Sequence, residues 1–272
     1  GGATATTTAT TTAVTGLTNG TSYSFTVTPS NADGTSTSSA VSNSITPVAP
    51  LPPAIQQAKL LASDGTNNDE FGTAVAISGD TVVIGAPEDD DAGNSSGSAY
   101  VYVRNGGVWT QQQKLTASDA VFNDRFGNSV GISGDTIVVG AWLDDSMSGS
   151  AYVFIRSGGV WTQQQKIRAL DAGAGDLFGS SVSISGDRIV VGAPGNDDVG
   201  IDSGSAYIFV RSAGVWAQAA KLTAGDASSK DNFGTAVAID GTTAVVSAIE
   251  AAPPTIPGAA YVFVLDQGGW IQ

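Results

Sequence analysis

The residues with the clearest capacity for chemistry are carboxylates. The 272-residue chain holds 25 Asp and Glu against 11 Lys and Arg, with no His and no Cys. An Asp-x4-Asp pair recurs as Asp64/Asp69, Asp119/Asp124 and Asp171/Asp176, and Asp doublets recur as Asp89-Asp90, Asp144-Asp145 and Asp197-Asp198. Clustered carboxylates suit a hard cation such as Ca2+, which takes oxygen ligands. The competing reading is a solvated face whose Asp residues are there because they form turns. Lack of His and Cys argues against zinc sites, thiol chemistry, Ser-His-Asp triads and imidazole acid–base catalysis. Paired carboxylates can hydrolyse glycosides, but pairs repeated along a chain point to structure, so no enzyme is expected. A net charge of −14 repels phosphate backbones and anionic headgroups, which excludes nucleic acid as a partner. No apolar run reaches 18 residues, so no membrane insertion is expected.

These acids sit in a repeat. Phe-Gly recurs at Phe71, Phe126, Phe178 and Phe233, and Trp at Trp109, Trp161, Trp216 and Trp270, each 52 to 55 residues apart. Every unit carries short β-branched runs divided by turn residues, the pattern of four antiparallel strands. Ser-Gly-Asp at Ser78, Ser133 and Ser185 supplies the positive φ of a tight hairpin between strands one and two. The polar fourth run, Val108 to Leu115 in the first unit, reads as a solvated outer edge. A unit of this size with four strands is a propeller-type blade, which must stack on neighbours to be stable; an open stack of small sheets is the alternative. The repeated Trp is expected between blades.

In a meander the 4→1 and 2→3 loops share one face, and most of the acids fall in them, including Glu88, Asp202, Asp226, Asp231 and Glu250. On the opposite face Asp80, Asp135 and Asp187 begin strand two while Arg104, Arg156 and Arg211 end strand three, which predicts three ion pairs. The fourth unit has Thr242 and Leu265 there, losing both members together. Trp142 and Met147 beside the second acidic loop fit either an interblade contact or a binding spot. Asn19-Gly20-Thr21 and Asn94-Ser95-Ser96 match glycosylation sequons.

Phe71-Gly72 followed by Ile84-Gly85-Ala86-Pro87, and Phe178-Gly179 followed by Val191-Gly192-Ala193-Pro194, resemble FG-GAP repeats, the blades of the integrin alpha-subunit propeller and of many bacterial secreted proteins. The second unit departs at Trp142, where the Pro is lost, and the fourth at Ser247-Ala248-Ile249. The resemblance implies an all-β fold of four-stranded antiparallel blades over residues 54–272, in repeats of about 54–109, 110–161, 162–216 and 217–272. The integrin-type calcium loop between strands one and two is too short here to wrap an ion, so any Ca2+ would have to use the Asp pairs and doublets instead. Residues 1–47, with Leu17, Gly20 and Tyr23, resemble the C-terminal half of a fibronectin type III domain, a partial β-sandwich, and 48–53 form a Pro-rich linker.

Together these features predict a piece of a larger extracellular or cell-surface protein: a non-catalytic adhesion or display module that meets a protein or glycan ligand through its acidic loop face. The rival is a structural subunit of a filament or sheath that binds copies of itself by strand or blade complementation. In support of it, Ile55 to Leu60 resembles a fourth strand without its first three. A third possibility is an accessory domain of an enzyme encoded elsewhere.

Overall fold

The computed structural model describes residues 3–9, 11–50, 52–249 and 258–272; Leu51 of the predicted linker and Glu250 of the acidic loops lie outside them. Two compact units divide the chain, 1–57 and 58–272, so the boundary falls just beyond the Pro-rich segment.

In the first unit, β1 (Ser30–Asn31) and β2 (Gly34–Thr35) form a small hairpin. Residues 23–27 run beside 39–45, with Tyr23 and Ile45 exchanging both backbone hydrogen bonds at 2.8 Å. The Tyr23 hydroxyl accepts the Thr18 amide at 3.0 Å. Val27, Val41 and Ile45 remain exposed.

The second unit is all-β apart from one short helical turn at Asp144–Met147, and it contains four four-stranded antiparallel sheets among the described residues. Sheet one comprises β3 (Val75–Ser78), β4 (Thr81–Ala86), β5 (Ser98–Asn105) and β6 (Val108–Leu115). Sheet two comprises β7 (Ser129–Ser133), β8 (Thr136–Ala141), β9 (Ser150–Ser157) and β10 (Val160–Ile167). Sheet three comprises β11 (Ser181–Ser185), β12 (Arg188–Ala193), β13 (Ser205–Ser212) and β14 (Val215–Leu222). Sheet four comprises β15 (Val237–Asp240), β16 (Thr243–Ala248), β17 (Ala259–Asp266) and β18 (Gly269–Ile271). In each sheet spatial order equals chain order, because every connection is a hairpin. The first strands β3, β7, β11 and β15 lie against one another in succession, and the sheets fan outward from them. These are propeller-like blades.

Core packing follows from this stacking. A lone sheet buries only one face, and here each of three apolar clusters draws its side chains from two successive sheets. In the two inner sheets strand two is apolar on both faces because both are covered: Val138, Val139, Val190 and Val191 are fully buried. Trp161 and Trp216 are buried in the joints as expected.

The Phe-Gly pair precedes strand one, which begins only at Val75 in the first sheet. Phe126, Phe178 and Phe233 instead form isolated parallel bridges to Gly97, Gly149 and Gly204 of the preceding sheet. Their rings pack edge-on against the aromatics of strand three, Phe126 lying 5.4 Å from Tyr152. The corner exists to reach the neighbouring sheet, and an extended strand could not do so.

The fourth strand is also more than a solvated edge. A β-bulge displaces Gln112 in β6 and Gln164 in β10. Their amides donate to the carbonyls of Gly159 and Gly214 in the next sheet, at 3.0 and 2.8 Å, and accept from the indoles of Trp161 and Trp216. Gln113 and Gln165 each make a two-way bridge to the backbone of the same Trp.

Candidate functional site

The predicted carboxylates do come together on the loop face, but around lysines. Lys114 of β6 places its ammonium 2.9 Å from Asp64 and 2.9 Å from Asp89, and also pairs with Asp91. The Tyr100 hydroxyl donates into the same cluster, at 3.0 Å to Asp64 and 2.8 Å to Asp89. In the second sheet Lys166 binds Asp119, Asp144 and Asp145 at 2.7, 2.6 and 3.2 Å, with Tyr152 on Asp144. Lys221 in the third binds Asp171 at 2.6 Å, Asp198, and the Asn196 amide oxygen at 3.3 Å. Each ammonium also lies over its tyrosine ring, at 5.2 to 5.3 Å from the centroid.

The strand pattern makes this inevitable. Lys and Tyr are directly paired neighbours on strands four and three, Lys114 opposite Tyr100 and Lys221 opposite Tyr207. Both side chains therefore project toward the same loops.

The second Asp of each Asp-x4-Asp pair does a different job. Asp69 accepts the Thr66 amide and hydroxyl at 2.5 and 2.6 Å, Asp124 the Val121 amide at 2.7 Å, and Asp176 the Gly173 amide at 2.8 Å. Asp231 repeats this in the fourth unit with Ser228 at 2.6 Å. All four are buried and fold the 4→1 loop on itself. Asp90 and Asp197 close the 2→3 loops by accepting the amides of Ser95 and Asp202, each at 2.8 Å. The Asp pairs thus divide into lysine ligands and loop ties.

Electrostatics follow the contacts. Burial alone would lower the lysine ammoniums, yet the hydrogen bonds of Asp91 and Asp64 hold Lys114 above its ordinary range; Asp119 and Asp144 do the same for Lys166. Tyr100, Tyr152 and Tyr207 are raised, chiefly by burial, and Tyr102 is pushed up to about 12 by burial and the nearby Asp64 charge. Lys114 holds Asp64 below the usual carboxylate range. Burial would raise Asp119 and Asp171, but their lysines outweigh it and lower both. Asp124, buried without a cation of its own, is raised.

Lys114, Lys166 and Lys221 each stand among the carboxylates of their own sheet, and among the described residues no group of three acidic side chains is placed to hold a metal ion. The lysines and tyrosines were the residues that motif reading passed over. Their signal was present in the sequence: a lysine recurs 50, 47 and 50 residues after Asp64, Asp119 and Asp171.

On the opposite face the arginines meet their acids. Arg104, Arg156 and Arg211 each place Nε 2.7 Å from Asp80, Asp135 and Asp187 respectively. The pairs are exposed, and each contributes about 0.2–1 kcal/mol. Register does not depend on them, since the fourth sheet keeps the same backbone bond, Leu265 to Thr242 at 2.8 Å, with neither charge. Their further contact is across the joint: Arg156 donates to the Thr81 hydroxyl and Arg211 to that of Thr136, both at 3.0 Å, with each guanidinium over a Trp.

The loop face also exposes large apolar side chains. Phe122 is 68% and Leu170 84% exposed, and Val121, Val199, Ile201 and Met147 are exposed with them. Met147 lies on a left-handed turn whose carbonyl accepts the amides of Gly175 and Leu177 in the next unit. Its backbone makes an interblade contact while its side chain faces solvent. The Trp142 indole nitrogen is buried without a partner.

Comparison with known proteins is consistent with this architecture. A family model described as FG-GAP repeat matches residues 55–102, 109–154, 161–209 and 216–263, together well over half of the chain. The second, third and fourth matches each run from the outer strand of one sheet to the third strand of the next, so there the sequence repeat spans a joint. No curated protein matches. Among solved structures, hydrazine synthase of Kuenenia stuttgartiensis is similar at 13% identity and a TM-score of 0.48, over 78% of this chain and 51% of that one. TolB of Acinetobacter baumannii is similar at 10% identity and a TM-score of 0.39, over 73% and 41%. This chain therefore spans about half the length of these structures or less. Among the described residues no helix is long and apolar enough to cross a membrane.

Proposed function

Because the chain belongs to the FG-GAP repeat family, we propose that it is a non-catalytic extracellular recognition module that presents its loop face to a protein or glycan partner in adhesion or surface display. One observation carries the reading. The loops are held in shape by lysine clusters and buried Asp ties, and the same loops push Phe122, Leu170 and Ile201 into water. Exposed apolar side chains on a pre-organised, polar-rimmed surface are what a binding face needs. Resemblance of residues 1–47 to half a fibronectin type III domain fits a modular surface protein. Its open face, with Val27, Val41 and Ile45 exposed, would need covering by a partner.

Calcium has no part in this reading, since the lysine ammoniums supply the cation. Adding calcium or chelator is expected to leave the melting temperature unchanged. The test of recognition is retention of the chain, displayed on beads, by cell surfaces and by arrayed glycans. The variant F122A/L170A/I201A should keep its melting temperature and lose retention at least ten-fold; equal retention would overturn the proposal.

A second reading, assembly into a filament, is favoured by one observation. Both ends of the four-sheet stack carry exposed apolar side chains, Val75 and Ile77 on the first sheet and Val245 and Val262 on the fourth. Electron microscopy of the concentrated chain tests it: regular end-to-end polymers would replace the first reading, and discrete particles would dismiss the second.

A further inference from the structure

The third lysine cluster differs from the other two by one residue. Where Lys114 and Lys166 meet the carboxylates of Asp89 and Asp144, Lys221 meets the carboxamide of Asn196, its ammonium 3.3 Å from Oδ1. An ionised carboxylate turns a nucleophile away. A carboxamide is neutral, has an electrophilic carbon, and holds a nitrogen that can leave as ammonia.

The partners of this amide suit that chemistry. Asn196 is 4% exposed, and the Gly204 amide and Ser203 hydroxyl hold its backbone carbonyl. The surroundings set the orientation of the side chain. Oδ1 accepts from Lys221 and, at 2.9 Å, from the fully buried Ser205 hydroxyl, while Nδ2 donates to Asp176 at 3.2 Å and to the Tyr207 hydroxyl at 3.4 Å. Ser205 thus stands where negative charge develops on Oδ1 when Cγ is attacked. Asp176 stands on the nitrogen that leaves. Asp171, at 2.6 Å, and Asp198 take hydrogen bonds from the Lys221 ammonium. In sheets one and two the equivalent Ser98 and Ser150 hydroxyls are buried with no partner among the described residues. Nζ lies at most about 4.5 Å from Cγ, one carbonyl bond beyond Oδ1. That gap is within reach of the flexible lysine stem.

We propose that Lys221 and Asn196 form a self-modification site, joining in an intramolecular isopeptide bond that ties the 2→3 loop of sheet three to its outer strand. The ammonium gives one proton to Asp171 or Asp198, and the freed electron pair of Nζ attacks Cγ while Ser205 supports the oxyanion. The Nζ–Cγ bond forms and the Cγ–Nδ2 bond breaks. Asp176 relays a second proton from Nζ to Nδ2, which departs as ammonia, and Nζ keeps its third hydrogen as an amide N–H. No oxidant or cofactor is consumed, and fixed orientation replaces chemical activation of the amide. Burial would lower the Lys221 ammonium, but the hydrogen bonds of Asp171 and Asp198 hold it above its ordinary range. The free amine is therefore scarce at neutral pH and the reaction slow, but it need occur only once in each chain. Its product fixes the loop that exposes Val199 and Ile201.

The test incubates the whole folded chain and weighs it intact, then maps its tryptic fragments by mass spectrometry. Mapping is needed because Asn19-Gly20 and Asn105-Gly106 lose the same mass when they close to succinimides. The chain should lose one ammonia, and residues 196 and 221 should appear in one branched fragment that trypsin no longer cuts after Lys221. Between about pH 7 and about pH 9 the rate should rise about ten-fold per pH unit, as the free-amine fraction does below the lysine pKa. The branched fragment should be absent from K221R and N196D, and S205A should form it at least ten-fold more slowly. An unchanged rate in S205A would overturn the role of Ser205. Retention of full mass by the unaltered chain through the most alkaline incubation, or ammonia loss without the branched fragment, would overturn the site.

Discussion

The joint between sheets two and three and the joint between sheets three and four use the same fold and different chemistry. In the former, Gln164 and Gln165 grip Trp216 at the outer rim, and Arg211 reaches Thr136. In the latter, Ala219 and Ala220 replace the glutamines, Leu265 replaces the arginine, and Arg188 replaces the threonine with its Nε buried and unpartnered. Inner-strand hydrogen bonds hold both joints: Ser129 donates to Gly179 and Ser133 accepts the Gly186 amide in the former, and Ser181, Ser183 and Ser185 accept the amides of Val237, Ile239 and Gly241 in the latter, at 2.7 to 3.2 Å. At the outer rim of the latter Gln272 keeps one bond, accepting the Gly225 amide at 2.9 Å. The comparison teaches that a blade joint holds its inner rim while its outer rim varies. The Phe-Gly contact is common to both, so it sets the geometry, while the polar fasteners set strength.

Removing the tryptophans should separate the joints most clearly. Trp161 is 2% exposed and its indole donates to Gln112 of the neighbouring sheet, so Trp161→Ala should cost about 3–5 kcal/mol in denaturant unfolding. Trp270 is only half-buried and faces alanines, so Trp270→Ala should cost less than half of that. Equal losses would mean that the outer rim contributes little in either joint.

Next in size is the close approach. Gly140→Ala should destabilise by about 1–3 kcal/mol because its Cβ meets the Gly179 carbonyl. Ser247→Ala, at the equivalent place in sheet four, should stay within about 0.5–1.5 kcal/mol, the worth of the Ala236 hydrogen bond. Chemical denaturation of both variants checks the pair.

Alkali should narrow the gap between the sheets. Lys114, Lys166, Lys221 and the buried tyrosines of sheets one to three have folded pKa values raised above their ordinary 10.5 and 10.0. Groups raised on folding stabilise fully below the unfolded value and lose that contribution as pH rises through the folded one. Stability should therefore fall from about pH 10 upward. In acid, lowered Asp64, Asp119 and Asp171 give the reverse sign: their contribution is present above the unfolded carboxylate value of 3.8 and lost as pH falls through the lower folded value. Thermal melts across both ranges measure this.

The smallest effect would sharpen the comparison by transplanting one rim onto the other. Ala219→Gln with Ala220→Gln should bring sheet four closer to its neighbours, gaining about 0.5–1.5 kcal/mol per hydrogen bond made. Slower amide exchange confined to β17 and β18 would be the local sign.

Much of this was legible from the repeat. Four strands per unit, the hairpin at Ser-Gly-Asp and the burial of Trp161 and Trp216 follow from residue type and period, because strand pairing by hairpins is local. The loop face was legible in outline, since strand order alone gathers its acids. Its chemistry was not. Asp64 and Asp69 look like one pair on paper, but Asp64 turns to a lysine fifty residues away while Asp69 ties an amide three residues away. Sequence spacing reports proximity along the chain, and which carboxylate meets a cation depends on how strand four returns to the loops.

What the sequence by itself determined is the blade: its strands, its turns, and the glycines that mark where another backbone must pass. What only the tertiary structure decided is the use of the polar residues between blades. Gln112 and Gln164 became fasteners because a bulge turned them toward the next sheet, and Lys114, Lys166 and Lys221 became the cations of the acidic face because strands three and four aim them there. Apolar periodicity is fixed by local geometry and survives reading one strand at a time. A polar side chain's partner is fixed by what lies opposite after the sheets have stacked, and that is not written in any single strand.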